Sequence, residues 1–178
     1  VPVWFAESVE KLAENLLEVK PTIMSAVPRM LEKVYDRILS KGAELHGGKR
    51  KLFYWALALA KQYDPWVDHS MWYRIRLGIA SALVFSKWRA AIGGCIRFII
   101  SGSAPLHPDL ARVFIAAGLP IVQGYGLTET SPVVTVNRRD RNKLGSTGPP
   151  IDNVEVKIAA DGEILVRGPN VMKGFYNS

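Results

Sequence analysis

The sequence has few of the side chains that form disulfides and most zinc sites: its 178 residues include one cysteine and three histidines. Cys95 has no partner, so an internal disulfide and a cysteine-based zinc cluster are excluded, and we expect it as a small buried residue beside the strand that follows it. No metal binding or base catalysis is expected of the histidines, which are far apart and have no carboxylate or cysteine at a ligand-like spacing: His46, His69 and His107. This cysteine usage fits a cytoplasmic location.

Long apolar runs are also scarce. The longest uncharged run in the central helical region, from Leu77 to Ser86, is roughly half of the ~20 residues that span a bilayer. No transmembrane segment is therefore expected. The first residues show no basic leader, apolar core and small-residue cleavage site, so no secretory signal is expected either.

Acidic residues are fewer than basic ones, and the net charge is +7. Such an excess favours nucleic acid, anionic lipid or a polyphosphate ligand. The only basic clusters, at 49–51 and 138–143, are short and lack the interleaved aromatic residues of a nucleic-acid groove. We expect both clusters to be solvated surface and expect no nucleic-acid partner.

The first part of the chain has an α, β, α pattern. Apolar residues at helical spacing predict a helix over 9–19, with Ser8 as its N-cap and Pro21 as its end. A short β-prone run at 22–27 predicts a buried strand, and Pro28 begins a second helix that stops near Gly42. This order predicts a layered α/β domain with a parallel sheet.

The central region, 49–91, is helical in character and is interrupted at Asp64-Pro65. It contains four of the five tryptophans. Aromatic residues at helical spacing are more often core than interface, so we expect packing, with contact to a membrane surface as the alternative. The four residues are Trp55, Trp66, Trp72 and Trp88.

A βαβ unit follows, with strands at 96–100 and 120–123 around a helix at 108–117. A tight turn at 102–105 leaves the first strand, and the sequence QGYGLTET leaves the second. Beyond Pro132 the chain becomes β-prone, at 133–136, 154–158 and 163–167. The Asp161-Gly162 pair predicts a hairpin with a type I′ turn.

Loops that leave neighbouring parallel strands converge at the carboxyl edge of the sheet, where ligands bind. Glycines in both loops would let a flat ligand and its phosphate approach the backbone. Tyr125 could face a purine, Glu129 could hold Mg²⁺, and three hydroxyls suit phosphate oxygens: Thr128, Thr130 and Ser131. The alternative is a structural turn in which the same hydroxyls cap and begin a helix.

Four segments resemble the adenylate-forming superfamily, in particular its long-chain fatty acid–CoA ligases. In chain order they are KPTIMSAVPRMLEKVYDRI, SGSAPL, QGYGLTETSP and GEILVRGPNVMKGFYN. The resemblance implies that a fatty acid attacks the α-phosphate of Mg·ATP to give acyl-adenylate and pyrophosphate, and that coenzyme A then displaces AMP. The substrates implied are fatty acid, ATP and coenzyme A.

The resemblance also implies roles for individual residues. Tyr125 would stack on adenine beside Gln123 and Gly124, and Gly126 would form part of the acyl-side wall. Thr128 would contact the α-phosphate and Glu129 would hold Mg²⁺, which makes these two the expected catalytic pair. The turn would wall the adenine and acyl pockets with Gly102, Ser103, Ala104 and Pro105.

The implied fold is the layered α/β amino-terminal adenylating domain, with residues 1–136 as its α/β portion and 137–178 as the start of a β-rich subdomain. The family's phosphate loop, ribose-binding aspartate and catalytic lysine are not among these residues, so we expect a central piece of a larger enzyme that is inactive alone. Three alternatives stay open. The protein could be an adenylate-forming enzyme for shorter or aromatic acids, an adenylate-forming enzyme that passes the acyl group to a carrier protein, or a basic non-catalytic binding module. Peripheral contact with the inner membrane face stays open as well.

Overall fold

The computed structural model describes residues 2–8 and 10–176. It confirms the α/β class. Three strands form a parallel sheet in the order β1 (Ile23–Ala26), β2 (Phe98–Ser101) and β3 (Ile121–Tyr125), and β4 (Thr135–Val136) adds to β3 in the antiparallel direction. Most of the helices precede β2: α1 (Leu12–Val19), α2 (Pro28–Ala43), α3 (Gly47–Lys61), α4 (Met71–Ala80), a π-helical turn (Ser81–Phe85) and α5 (Ser86–Ala90).

The first helix is shorter than predicted. It begins at Leu12, and Val9 lies outside the described residues. The prediction that Ser8 is its N-cap is wrong, because Lys11 has that position and the Ser8 hydroxyl accepts the Lys11 N–H instead, at 3.2 Å. The predicted end before Pro21 is confirmed: Lys20 is left-handed, with φ of 48°, and its N–H bonds to the Leu16 carbonyl.

The second helix begins at Pro28 as predicted, because a proline at the first helical position loses no hydrogen bond. It ends one residue beyond Gly42. A Cβ at Gly42 would overlap the ring of Phe53, so this glycine lets α2 and α3 approach each other closely.

The central region folds as predicted into helices separated at Asp64-Pro65. The expectation that its tryptophans pack is correct only in part. Trp88 is buried against Phe85 and Phe53, whereas Trp66 and Trp72 are 56% and 69% exposed. The prediction for Cys95 is also wrong, because this residue is exposed in the loop before β2.

The βαβ unit is confirmed: α6 (Pro108–Ala116) joins the parallel neighbours β2 and β3. One core cluster lies between the sheet and α1, α2 and α6, and includes Leu31, Ile99 and Phe114. A second cluster, around Phe53 and Phe85, fixes the central helices to the outer side of α6. The helices therefore form a two-layered cover on the sheet.

The predicted hairpin is present as β5 (Glu155–Ile158) and β6 (Ile164–Arg167), which form a separate two-stranded antiparallel sheet. The prediction of a type I′ turn is wrong. Such a turn needs a positive φ at both central residues, and only Gly162 of the predicted pair has one, at 92°. The Gly162 N–H bonds to the Ala159 carbonyl, and the Ala159 N–H bonds to the Glu163 carbonyl. This pattern is the three-residue loop with glycine at its left-handed position.

Candidate functional site

The two glycine-containing segments meet at the carboxyl edge of the parallel sheet. Ser101 at the end of β2 pairs with Gln123 in β3, so Gly102 lies beside Gly124, and a Cβ at Gly102 would be 3.8 Å from the Gly124 carbonyl oxygen. The structure thus places the starts of the two segments side by side, at Gly102 and Gly124, as the order of elements predicted.

Strand β3 is longer than predicted and includes Gln123, Gly124 and Tyr125. The extension is caused by β4, because Gly124 pairs with Val136 and Tyr125 with Thr135. A Cβ at Gly124 would be 3.2 Å from the Thr135 carbonyl oxygen. Tyr125 is therefore fixed by strand pairing and remains half-buried.

The turn after β2 has a left-handed residue, Ser103, with φ of 67°. Such a conformation is uncommon for serine. Ser103, Ala104 and Pro105 are exposed, and the buried Leu106 anchors the end of the turn. Beneath the turn the Ser101 hydroxyl is buried and has no hydrogen-bond partner among the residues that the structure describes.

The loop after β3 contains one short 3₁₀ turn, Thr128–Thr130, and does not begin an α-helix. Thr130 is only 4% exposed. Its hydroxyl accepts the Leu127 N–H at 2.9 Å and lies 3.0 and 3.1 Å from the Leu127 and Pro132 carbonyl oxygens. The prediction that this hydroxyl is available to a phosphate is therefore wrong, because the loop itself uses it.

Thr128 and Glu129, unlike the buried Thr130, face solvent. Both side chains are exposed, and neither makes a hydrogen bond or ion pair within 2–8 and 10–176. The same described residues contain no group of three or more His, Cys, Asp and Glu side chains that could hold a metal ion. Glu129 would thus supply one oxygen to a cation whose other ligands are waters and phosphate oxygens, which is how Mg²⁺ is usually bound.

A residue that the sequence did not indicate holds this loop in position. The Asn170 side-chain amide donates to the Thr130 and Val133 carbonyl oxygens at 3.1 and 2.9 Å. Two residues later the Met172 N–H donates to the Glu129 carbonyl oxygen at 2.8 Å. The segment after β6 therefore fixes the backbone of the loop that presents Thr128 and Glu129.

We expect Asn170→Asp to loosen the loop, because an ionised carboxylate cannot donate to the two carbonyl oxygens and is repelled by them. With each lost hydrogen bond costing about 0.5–1.5 kcal/mol, local opening should become easier by roughly 1–3 kcal/mol. Hydrogen exchange at the Thr130 and Val134 amides measures this, with the β5–β6 amides as an internal reference. Unchanged exchange at both loop amides would contradict the assignment.

Asn137 fixes the other side of β3. It is 4% exposed, its N–H donates to the Gln123 carbonyl at 2.9 Å, and its side-chain amide donates to the Ser146 carbonyl at 2.5 Å. The Asn142 amide donates to the Ile121 carbonyl at 2.5 Å. These two asparagines tie the basic segment 138–143 to the strand, while Arg138 and Arg139 remain exposed as expected.

The model of the AMP-binding enzyme family matches residues 2–176. The chain is 36% identical over 181 residues to the long-chain-fatty-acid–CoA ligase FadD15 of Mycobacterium bovis, a match that covers 100% of this chain and 30% of that protein. It is 38% identical to long chain acyl-CoA synthetase 8 of Arabidopsis thaliana, over 90% of this chain and 24% of that protein.

A solved long-chain-fatty-acid–CoA ligase, FadD1 from Archaeoglobus fulgidus, has the same fold. Its TM-score is 0.57 at 24% identity, and the match covers 96% of this chain and 29% of that one. The chain belongs to the AMP-binding enzyme family. It spans less than a third of the length of the relatives named here.

Proposed function

We propose that the full-length protein activates a long-chain fatty acid in two steps. A carboxylate oxygen of the acid bonds to the α-phosphorus of ATP as the bond to pyrophosphate breaks, giving the acyl-adenylate. The thiol of coenzyme A then loses its proton and bonds to the acyl carbon as AMP leaves. The observation that carries this proposal is the edge of the sheet where two glycine segments adjoin a loop with free Thr128 and Glu129 side chains.

The proposed binding roles are those that the resemblance to adenylate-forming enzymes implies for the residues at this edge. Tyr125 would stack on adenine, with Gln123 and Gly124 beside it. The turn made of Gly102, Ser103, Ala104 and Pro105 would wall the adenine and acyl pockets, and Gly126 would face the acyl side. Independently of any ligand, a side chain at Gly124 would crowd the Thr135 carbonyl, so strand pairing itself requires a small residue there.

Thr128 and Glu129 form the proposed catalytic pair. Thr128 would donate its hydroxyl proton to an α-phosphate oxygen, and Glu129 would hold Mg²⁺. The metal would neutralise phosphate charge as the attack proceeds. Chemistry of this kind depends on positioning and charge stabilisation more than on proton transfer, which fits a site without histidine. The bonds from Asn170 and Met172 would provide that positioning.

The division into an α/β portion, 1–136, and a β-rich subdomain, 137–178, is part of the proposal. The separate β5–β6 sheet supports it. Two hydrogen bonds argue against a boundary as early as residue 136. The Val136 N–H donates to the Pro149 carbonyl, and the Ile151 N–H donates to the Val134 carbonyl. Residues 137–151 thus pack with the first portion.

We also propose a cytoplasmic location with peripheral contact at the inner membrane face. No helix in the described part of the chain is long and apolar enough to cross a bilayer. The contact is supported by large exposed apolar side chains along α4 and the π-helical turn, namely Met71, Trp72, Ile75, Ile79 and Leu83. The test is cosedimentation with anionic vesicles, and we expect the double variant Ile75→Glu/Ile79→Glu to bind them less than the unmodified protein does. Equal binding of the two proteins would remove this surface from the proposal.

Acyl chain length distinguishes the proposed substrate from a shorter or aromatic acid. For a long-chain enzyme, each buried methylene contributes up to ~0.8 kcal/mol of transition-state binding, so kcat/KM should fall roughly two- to fourfold for each one removed. The measurement is acyl-CoA formation by the full-length protein with a series of acids from palmitate to hexanoate, and with benzoate. A flat profile, or a preference for benzoate, would contradict the long-chain assignment.

A further inference from the structure

A cavity of about 180 Å³ lies in the helical layer, away from the carboxyl edge of the sheet. Its walls come from α1, from α2 and from the ends of α5 and α6. The interior is apolar and includes Leu16, Trp88, Ile92, Phe114 and Leu119. None of the residues that line it belongs to the segments 102–105 or 123–132, so the cavity is separate from the candidate site described above.

Helix α2 contributes two parallel stripes to this cavity. Met30, Val34 and Ile38 recur every four residues and form an apolar wall. Three cations recur at the same spacing beside them: Lys33, Arg37 and Lys41. The cations are exposed whereas the apolar stripe is half-buried, so the basic stripe lies at the opening of the cavity and the apolar stripe inside it.

Among the described residues, no ion pair neutralises the basic stripe. The ion pairs found in residues 2–8 and 10–176 join other side chains, and the one carboxylate that lines the cavity is Glu10. The pKa of Glu10 is lowered by a hydrogen bond from its own backbone N–H and one from Ser8, and further by the charges of Lys33 and Arg37. Three cations facing one acid leave an excess of positive charge at the opening.

We propose that this cavity binds a single-chain anionic amphiphile, with its alkyl chain among the apolar residues and its head group at Lys33, Arg37 and Lys41. Apolar cavities of about 150 Å³ accept molecules of the size of benzene, so this one has room for a short length of a single alkyl chain and not for a two-chain lipid. The proposal does not depend on the nucleotide chemistry, because the two sites share no residue.

Decyl sulfate is the first probe, because it has the required charge and chain but no carboxylate that could be adenylated. Its binding to the full-length protein is measured by calorimetry below the micelle concentration. We expect saturable binding, at least tenfold weaker in Arg37→Glu and restored in Arg37→Lys. Arg29→Glu is the matched control, since Arg29 is exposed on the same helix but does not line the cavity, and its affinity should equal that of the unmodified protein.

Further variants locate the probe. Ala13 lines the cavity, so Ala13→Phe should fill it and weaken binding, whereas Tyr125→Ala at the sheet edge should not. Circular dichroism verifies that each variant is folded. The proposal is overturned if decyltrimethylammonium binds as tightly as decyl sulfate, if Arg29→Glu weakens binding as much as Arg37→Glu, or if only Tyr125→Ala weakens it. Decanoate and decyl phosphate are compared in parallel. Because a fatty acid is also the proposed substrate at the sheet edge, only binding that Ala13→Phe weakens supports the cavity, and the tighter of the two by that criterion identifies the head group. Binding of decyl phosphate that Ala13→Phe leaves unchanged would contradict the proposal.

Discussion

Glu129→Gln should lower the rate of Mg²⁺-dependent ATP–pyrophosphate exchange in the full-length protein by about a hundredfold or more, the usual cost of removing a preorganised electrostatic contact. Glutamine keeps the shape of the side chain but loses the charge that binds the metal. The loss should be greatest at limiting Mg²⁺ and partly relieved as Mg²⁺ is raised.

The structure indicates that this substitution leaves the fold intact. The Glu129 side chain is exposed, and the loop is fixed through its backbone carbonyl by Met172. Glu163→Gln is the matched control, because Glu163 is an exposed glutamate beside the β5–β6 turn, and exchange should be unchanged in it. An unaltered rate in Glu129→Gln at limiting Mg²⁺ would remove Glu129 from the site.

Gly126→Ala should have the largest effect on the structure of the site. A Cβ at this position would overlap the Pro132 carbonyl oxygen and lie 2.6 and 2.9 Å from the Pro132 carbonyl carbon and the Val133 Cα. These are backbone atoms, so the whole 127–133 loop must shift. We expect an unfolding free energy lower by about 1–3 kcal/mol and nearly complete loss of exchange activity, because Thr128 and Glu129 move with the loop.

Gly78→Ala is the control for the methyl group itself. Gly78 lies inside α4, and nothing is found within 4 Å of its added Cβ. Alanine is favoured there by about 1 kcal/mol, so this variant should be slightly more stable. Urea unfolding of the two variants measures the difference. A Gly126→Ala protein as stable and active as Gly78→Ala would show that close packing against Pro132 is not what position 126 requires.

Local sequence patterns were sufficient for the parallel sheet. The βαβ unit around α6 has short β-prone runs, prolines near its boundaries and a helical apolar stripe, and each of these signals is independent of distant residues. The same holds for the end of α1 before Pro21 and for the start of α2 at Pro28. Because parallel strands share one carboxyl edge, the contact between Gly102 and Gly124 followed from the order of elements.

Interactions between distant residues were not predictable in this way. The two-residue strand β4 has no local signature, yet its pairing extends β3 through Tyr125. Asn170 reaches Thr130 across forty positions of the chain. The direction of a side chain within an irregular loop also depends on such contacts, which is why the hydroxyl of Thr130 was assigned to a ligand when it is bound inside the loop.

Aromatic residues on the central helices illustrate the limits of helical spacing. Trp88 and Trp72 both occur in helices with apolar neighbours, but only Trp88 faces the core around Phe53 and Phe85. Spacing shows which residues share a face, and it does not show which face a neighbouring element covers. That depends on the direction in which the chain returns after Asp64-Pro65.

The most direct test of the central claim is ATP–pyrophosphate exchange by the full-length protein, measured with palmitate, with benzoate and with no acid. We predict exchange that requires palmitate, is much slower with benzoate and is absent without an acid. A folded protein that catalyses no exchange with either acid would contradict the claim that this sheet edge forms an acyl-adenylate.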